Sequence, residues 1–260
     1  MLIDTGFRPS VHGFAFRNAW HDTLLGVFTS RGRCGGMVFL ALDRFMADSD
    51  PKTPSATAEM LPAAPRGVQE MPPHDSPLAR RIWRRQVDSV LGGLGVNLWR
   101  FALLTYLPTH AALGAARSAR SELDGMLREL AAGRPVPLGL VSALGFPHLA
   151  RNHQVLAYAA ETCEDCVRLR VYDPNHPMRD DVTLTVPFDV REPVIEHVGA
   201  RVLRWRGLFA ERYAPLHGGE PGIETRGPAG GRGALRRVWG MAAIGAVAGL
   251  ALATLVRRRR

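Results

Sequence analysis

Lysine occurs once in these 260 residues, at Lys52; every other one of the 33 basic side chains is arginine. Cysteine is nearly as sparse. Cys34, Cys163 and Cys166 are too few for a disulfide scaffold and point to a reducing compartment. The opening MLIDTGFRPS lacks the charged-then-apolar pattern of a secretory signal, so the cytoplasm is the expected home of the folded part. No P-loop or dinucleotide fingerprint follows a strand-like run, which leaves nucleotide chemistry unsupported. The CEDC stretch, Cys163 to Cys166, has no second CxxC and no HxxxH to complete four metal ligands. It reads as a hairpin tip, and no metal or other cofactor is expected.

What is present begins with charge. The net +9 is uneven: residues 217–260 carry eight arginines against Glu220 and Glu224, a net +6, which leaves +3 for residues 1–216. A basic excess gathered at one end suits an anionic membrane surface better than nucleic acid, and no nucleic-acid partner is expected. Within that end, residues 238–256 (VWGMAAIGAVAGLALATLV) run 19 residues without a charge. At about 1.5 Å per residue this just spans a hydrocarbon core of ~30 Å, so the run is expected to be a single transmembrane helix. Arg236 and Arg237 before it and the basic tail 257–260 after it would sit at both headgroup layers, so charge gives no orientation. A buried helix of a soluble domain is the other reading of so Ala- and Gly-rich a run. Gly245 and Gly249 form a GxxxG that could support weak dimerisation. Residues 216–237, rich in Gly and Pro and basic, read as a flexible linker to the anchor.

A folded body over residues 1–215 remains. Its residues 48–77 contain seven prolines and no sustained apolar periodicity, as in a long surface loop or partly disordered insertion. Helical spacing marks residues 35–47, 78–91 and 118–132. From Val136 onward the short runs VPLGLV, HQVLAYA, VRLRVYD, VTLTV and ARVLRW, parted by turn residues, read as antiparallel strands. Helices first and sheet second define an α+β fold.

Cys34 heads the apolar run of the first of these helices. The free N–H groups and positive dipole end of a helix stabilise a thiolate there, and Gly35 and Gly36 would leave that end open to a substrate carbonyl. A small buried hydrophobe beside a glycine turn is the alternative. A base for the thiol is found in NHQVLAYAAETCEDCVRLRVYDPN. A hairpin centred on Cys163 sets His153 opposite Asp173, on one face with Val155, Ala157, Ala159, Val167, Leu169 and Val171. A carboxylate there would fix the tautomer and orientation of an imidazole base. A small shift of the hairpin centre makes Asn175 the partner instead.

Cys34 at the head of a central helix, His153 in NHQVLAY, and Asp173 and Asn175 in VYDPN resemble the papain-like cysteine peptidase superfamily. The YDP segment is most similar to its bacteriocin-processing (C39-type) branch. That resemblance implies a papain-like fold, with Cys34 as nucleophile, His153 as general base and acid, and Asp173 as orienting residue. The family's oxyanion glutamine has no counterpart in residues 1–33, and Phe28 stands six positions before Cys34. Asn18, in HGFAFRNAW, carries an amide that could serve instead, with Ser30 second. The expected function is a membrane-anchored hydrolase or acyltransferase acting on a peptide or acyl substrate, its body in the cytoplasm. The competing expectation is a catalytically silent, membrane-tethered binding module in which Cys34 is structural.

Overall fold

The structure is a computed structural model that describes residues 2–24, 28–49, 67–142, 145 and 151–216. The expected linker, transmembrane run and basic tail, the GxxxG pair Gly245 and Gly249 included, lie outside these residues, as do residues 50–66 of the insertion. Of the rest of that expected loop, residues 48–49 and Pro77 belong to helices, and residues 67–76 form a connection with a parallel bridge from Gln69 to Phe16. Among the described residues no single helix is long and apolar enough to cross a membrane.

The chain is α+β, its helices preceding a curled antiparallel sheet. A short strand β1 (Leu2–Asp4), a helical turn α1 (Pro9–His12) and a hairpin of β2 (His21–Leu24) and β3 (Phe28–Arg31) lead into α2 (Cys34–Ser49). Helix α3 (Pro77–Tyr106) and helix α4 (Ala115–Ala131) follow. The sheet then forms from β4 (Val136–Val141), β5 (His153–Thr162), β6 (Cys166–Tyr172), β7 (Thr183–Pro187), β8 (Val194–Val198), β9 (Arg201–Trp205) and β10 (Gly207–Ala210). Its order is β10-β4-β5-β6-β7-β8-β9, with β1 also pairing β5.

Each helix has a local cause. Ser76 caps α3, its side chain accepting from the Ala79 N–H, and Pro77 takes the first turn, where no N–H is needed. That helix runs past the expected residues 78–91 to Tyr106 because the chain survives a 68° bend across Gly92 and Gly95, where Gly95 has φ +73°. Helix α4 buries Ala119, Leu123, Met126 and Leu130, spaced along one face, and leaves the opposite face charged.

The sheet is apolar on both sides, and its two faces belong to two cores. One face, with Val155, Ala157, Ala160, Val167, Leu169 and Val171, packs on α4. The other, with Leu156, Tyr158, Ala159 and Tyr172, packs on α2 and on Phe7, Phe14 and Trp20 of the N-terminal segment. Met37 through Leu42 of α2 are all buried in this second core, each large side chain there contributing about 1.5–3 kcal/mol. A helix apolar all round is thereby held rigid, with its N-terminus at the start of β5.

The β5–β6 hairpin departs from the expected register. Thr162 pairs with Val167 and Glu161 with Arg168 near the tip, then a bulge between Ala157 and Ala159 shifts the ladder so that Ala157 faces Val171 and Leu156 faces Tyr172. The extra residue turns Ala159 to the α2 side, against the expectation that it shares a face with Ala157. Extrapolated, the inner register sets position 175 rather than 173 across from His153. The strands β1, β2, β3, β8 and β10 were not among the expected runs.

Candidate active site

Cys34 opens α2 and is partly exposed. Arg33 is the residue before it; its carbonyl accepts from Met37 N–H, the first helical bond. The Cys34 N–H therefore lies in the first turn, where an amide has no carbonyl of its own helix to bond. Arg33 is fixed on all sides. Its guanidinium pairs with Asp22 at 2.8 Å, donates to the Ala79 carbonyl, and lies between the rings of Trp20 and Trp83.

Gly35 and Gly36 have a different task from the open approach expected of them. Both are buried. A Cβ on Gly35 would lie 2.2 Å from Gln154 Oε1 and Ser89 Oγ, and one on Gly36 would lie 2.0 Å from the Ile82 carbonyl oxygen. The glycines let α2 press against α3 and β5, and that contact sets where the sulfur sits.

His153 begins β5 and is held from three sides. Its Nε2 lies 2.7 Å from Asp173 Oδ1, while the Asn175 amide nitrogen is 3.2 Å from the same Nε2. Cys34 lies close enough for its charge to act on the ring, while its thiol donates to Gln154 Oε1 at 3.6 Å. The Trp205 indole stacks on the imidazole at 6.2 Å and 21°. Burial alone would lower the His153 pKa. The adjoining Asp173 charge and hydrogen bond, then the nearby Cys34, outweigh it and raise the pKa well above the usual range.

Asp173 reaches His153 despite the register because β6 ends at Tyr172 and the chain turns. Asp173 accepts from His176 N–H through its carbonyl and from Asn175 N–H through Oδ1, the Asx turn that an Asp-Pro-Asn sequence favours. Burial opposes ionisation of its carboxyl, but the His153 charge and hydrogen bond hold the pKa below the usual range. Of the two residues weighed as partner of His153, Asp173 makes the shorter contact and Asn175 lies beside it.

Asn18 joins the same group. Its Oδ1 accepts from the Arg33 N–H at 2.6 Å and its Nδ2 points to Asn175 Oδ1 at 3.5 Å. Gly32, with φ +100°, makes room: a Cβ there would lie 2.3 Å from Asn18 Nδ2. The amide oxygen is thus committed and the amide nitrogen is the loosely held end. Cys34, His153, Asp173, Asn175 and Asn18, far apart in the chain, converge on one site. Phe28 and Ser30 lie on β3.

Three further residues were not singled out from the sequence. Gln154 accepts from Cys34 Sγ at 3.6 Å and donates to Glu211 at 2.7 Å. Glu196, on β8, is buried and accepts from the Trp205 indole N–H at 2.8 Å. Burial, then the neighbouring Asp173 charge, pushes its pKa up to about 7. Its Oε1 has no hydrogen-bond partner among the described residues. Trp205 is the third, its ring stacked on His153. The available signal was in PVIEHV, where Val194, Glu196 and Val198 share the buried face and a carboxylate among valines demands a partner.

The CEDC cysteines are remote from this group. Cys163 N–H donates to the Cys166 carbonyl across the hairpin tip, and both thiols are free. Burial pushes the Cys166 thiol up to about 12, with the neighbouring Cys163 adding to it.

No family model, no curated protein and no solved structure matches this chain.

Proposed function

We propose that the protein is a papain-like cysteine hydrolase or acyltransferase, of the kind its sequence resembles, in which Cys34 attacks an amide or thioester carbonyl. One observation carries this reading: a partly exposed cysteine opens a buried helix beside a buried histidine whose Nε2 lies 2.7 Å from a buried aspartate. That is the arrangement nucleophilic catalysis needs, with a base beside the nucleophile and a third group on the base.

The steps follow from the groups in place. His153 takes the Cys34 proton, and Asp173 stabilises the imidazolium that results. The thiolate forms a C–S bond to the carbonyl carbon, and the carbonyl oxygen becomes an oxyanion facing two donors, the Cys34 N–H and Asn18 Nδ2. Collapse breaks the bond to the leaving amine or thiol, which takes its proton from His153. Water or an amine then attacks the acyl-enzyme, His153 now acting as base. Residues 238–256 complete the proposal as a membrane anchor.

Site-resolved alkylation by iodoacetamide across pH tests the chemistry. Cys34 should react much faster than Cys163 at neutral pH, and His153→Ala should abolish the advantage. A Cys34 as inert as Cys163 would leave the tethered binding module. For the anchor, membrane association should resist carbonate and disappear when residues 238–260 are deleted.

A further inference from the structure

Beside His153 a cavity of about 320 Å³ opens, within the size range of small-molecule sites. Its walls carry positive charge. Arg17, Arg151 and Arg201 all line it, from three separate stretches of chain. Among the described residues no carboxylate pairs with Arg17, Arg151 or Arg201.

The acidic groups of the cavity do not cancel this charge. Asp173 is held by His153, and Glu196 is buried against Trp205. His176, also in the wall, registers the field: burial lowers its pKa against the pull of Asp173, and the charges of Arg201, Arg17 and Arg179 lower it further. A second, independent feature points the same way. The buried indole N–H of Trp20, another lining residue, has no acceptor among the described residues. Three guanidinium groups with no carboxylate partner among the described residues thus line one space together with the His153 imidazole, and Trp20 with its unused donor is part of the same wall.

We propose that this cavity holds a carboxylate on the substrate, so that the acyl group attacked by Cys34 lies next to an acidic side chain or a free C-terminus. This rests on the hydrolase reading and adds the substrate class to it. Guanidinium groups bind a carboxylate through paired N–H donors, and a concave site of one charge sign raises the encounter rate with an anion by 10-fold or more. Binding there would set the carboxylate on the His153 side of the scissile bond.

The test compares anionic iodoacetate with neutral iodoacetamide at Cys34, each rate normalised to N-acetylcysteine. The iodoacetate-to-iodoacetamide ratio should exceed the reference about tenfold. It should fall toward the reference in Arg17→Gln, Arg151→Gln and Arg201→Gln, and in the unaltered protein at high salt. Arg191→Gln, which removes an equal charge paired with Asp189 on another turn, should leave it unchanged. A reference ratio in the unaltered protein at low salt overturns the anion site. The two rates also separate the hypotheses: slow reaction with both reagents removes the hydrolase, whereas fast reaction at the reference ratio removes only the carboxylate site. Protection against iodoacetamide distinguishes the carboxylate's source. A tripeptide amide with a central glutamate should protect if a side chain is recognised, and a neutral tripeptide with a free C-terminus if the chain end is. Equal protection by a peptide with no charge, or protection by inorganic phosphate alone, overturns the proposal.

Discussion

The Trp205 indole stacks on the His153 imidazole, 6.2 Å between ring centres, and donates its N–H to Glu196, so one side chain touches both the proposed base and a buried acid. Trp205→Phe keeps an aromatic face over His153 and removes only the donor. A hydrogen bond to a carboxylate favours its charged form. Its loss should raise the Glu196 pKa above about 7, and the corresponding inflection in the rate of Cys34 acylation by p-nitrophenyl acetate should move to higher pH. An inflection that stays where it is would show that the indole only packs.

Glu196 gains its negative charge as pH rises through about 7, beside Asp173 and His153. That charge favours the imidazolium, so in the unaltered protein it extends activity on the alkaline side. Glu196→Gln still accepts from Trp205 but never ionises. The inflection near pH 7 should vanish and the alkaline limb of the acylation profile should move to lower pH. An unchanged profile would exclude Glu196 from the positioning of His153.

Asn18 was chosen from the sequence for its amide alone, and the structure assigns its two ends different partners. The oxygen caps Arg33 N–H and the nitrogen is loosely held. Asn18→Asp keeps the acceptor and loses the donor. Acylation by p-nitrophenyl acetate, which passes through an oxyanion, should fall about 10²–10³-fold. Alkylation by iodoacetamide, which does not, should change far less. Equal losses in both reactions would mean that Asn18 supports the helix end only.

The helical heads and the β5–β6 pair were legible in the sequence because apolar spacing and turn residues are local signals. Cys34, His153 and Asp173 could be placed from them. The bulge at the middle of β5 could not, since nothing in LAYAA says which alanine is skipped, and it alone moves Ala159 to the other core. The glycines after Cys34 were misread for a similar reason: their sequence shows what is missing from the side chain, and only packing shows what fills the space. Glu196 and Gln154 depend on contacts between strands and helices distant in sequence, which periodicity along one strand does not report.

Gly36→Ala tests that packing. The new methyl would meet the Ile82 carbonyl oxygen at 2.0 Å, and backbone on a helix cannot step aside as a flexible side chain does. The substitution should lower stability by about 1–3 kcal/mol, read by urea unfolding. A variant as stable as the parent would mean that α2 and α3 are not in close contact.

Glu211 gives the fold a pH dependence of its own. It is buried, accepts from Gln154 Nε2 at 2.7 Å, and burial pushes its pKa up to about 8 despite that hydrogen bond. The unfolded chain releases this proton near the ordinary glutamate pKa of about 4.3, whereas the folded protein keeps it to about 8. Folding therefore binds a proton between these limits. The stabilisation is fully present below the lower limit and is lost progressively as pH rises to about 8. Glu211→Gln retains an acceptor for Gln154 without the titration. It should match the parent in urea unfolding at pH 4 and be the more stable of the two at pH 8. A constant difference between them across that interval would mean that Glu211 ionises in the folded protein as it does in the unfolded chain.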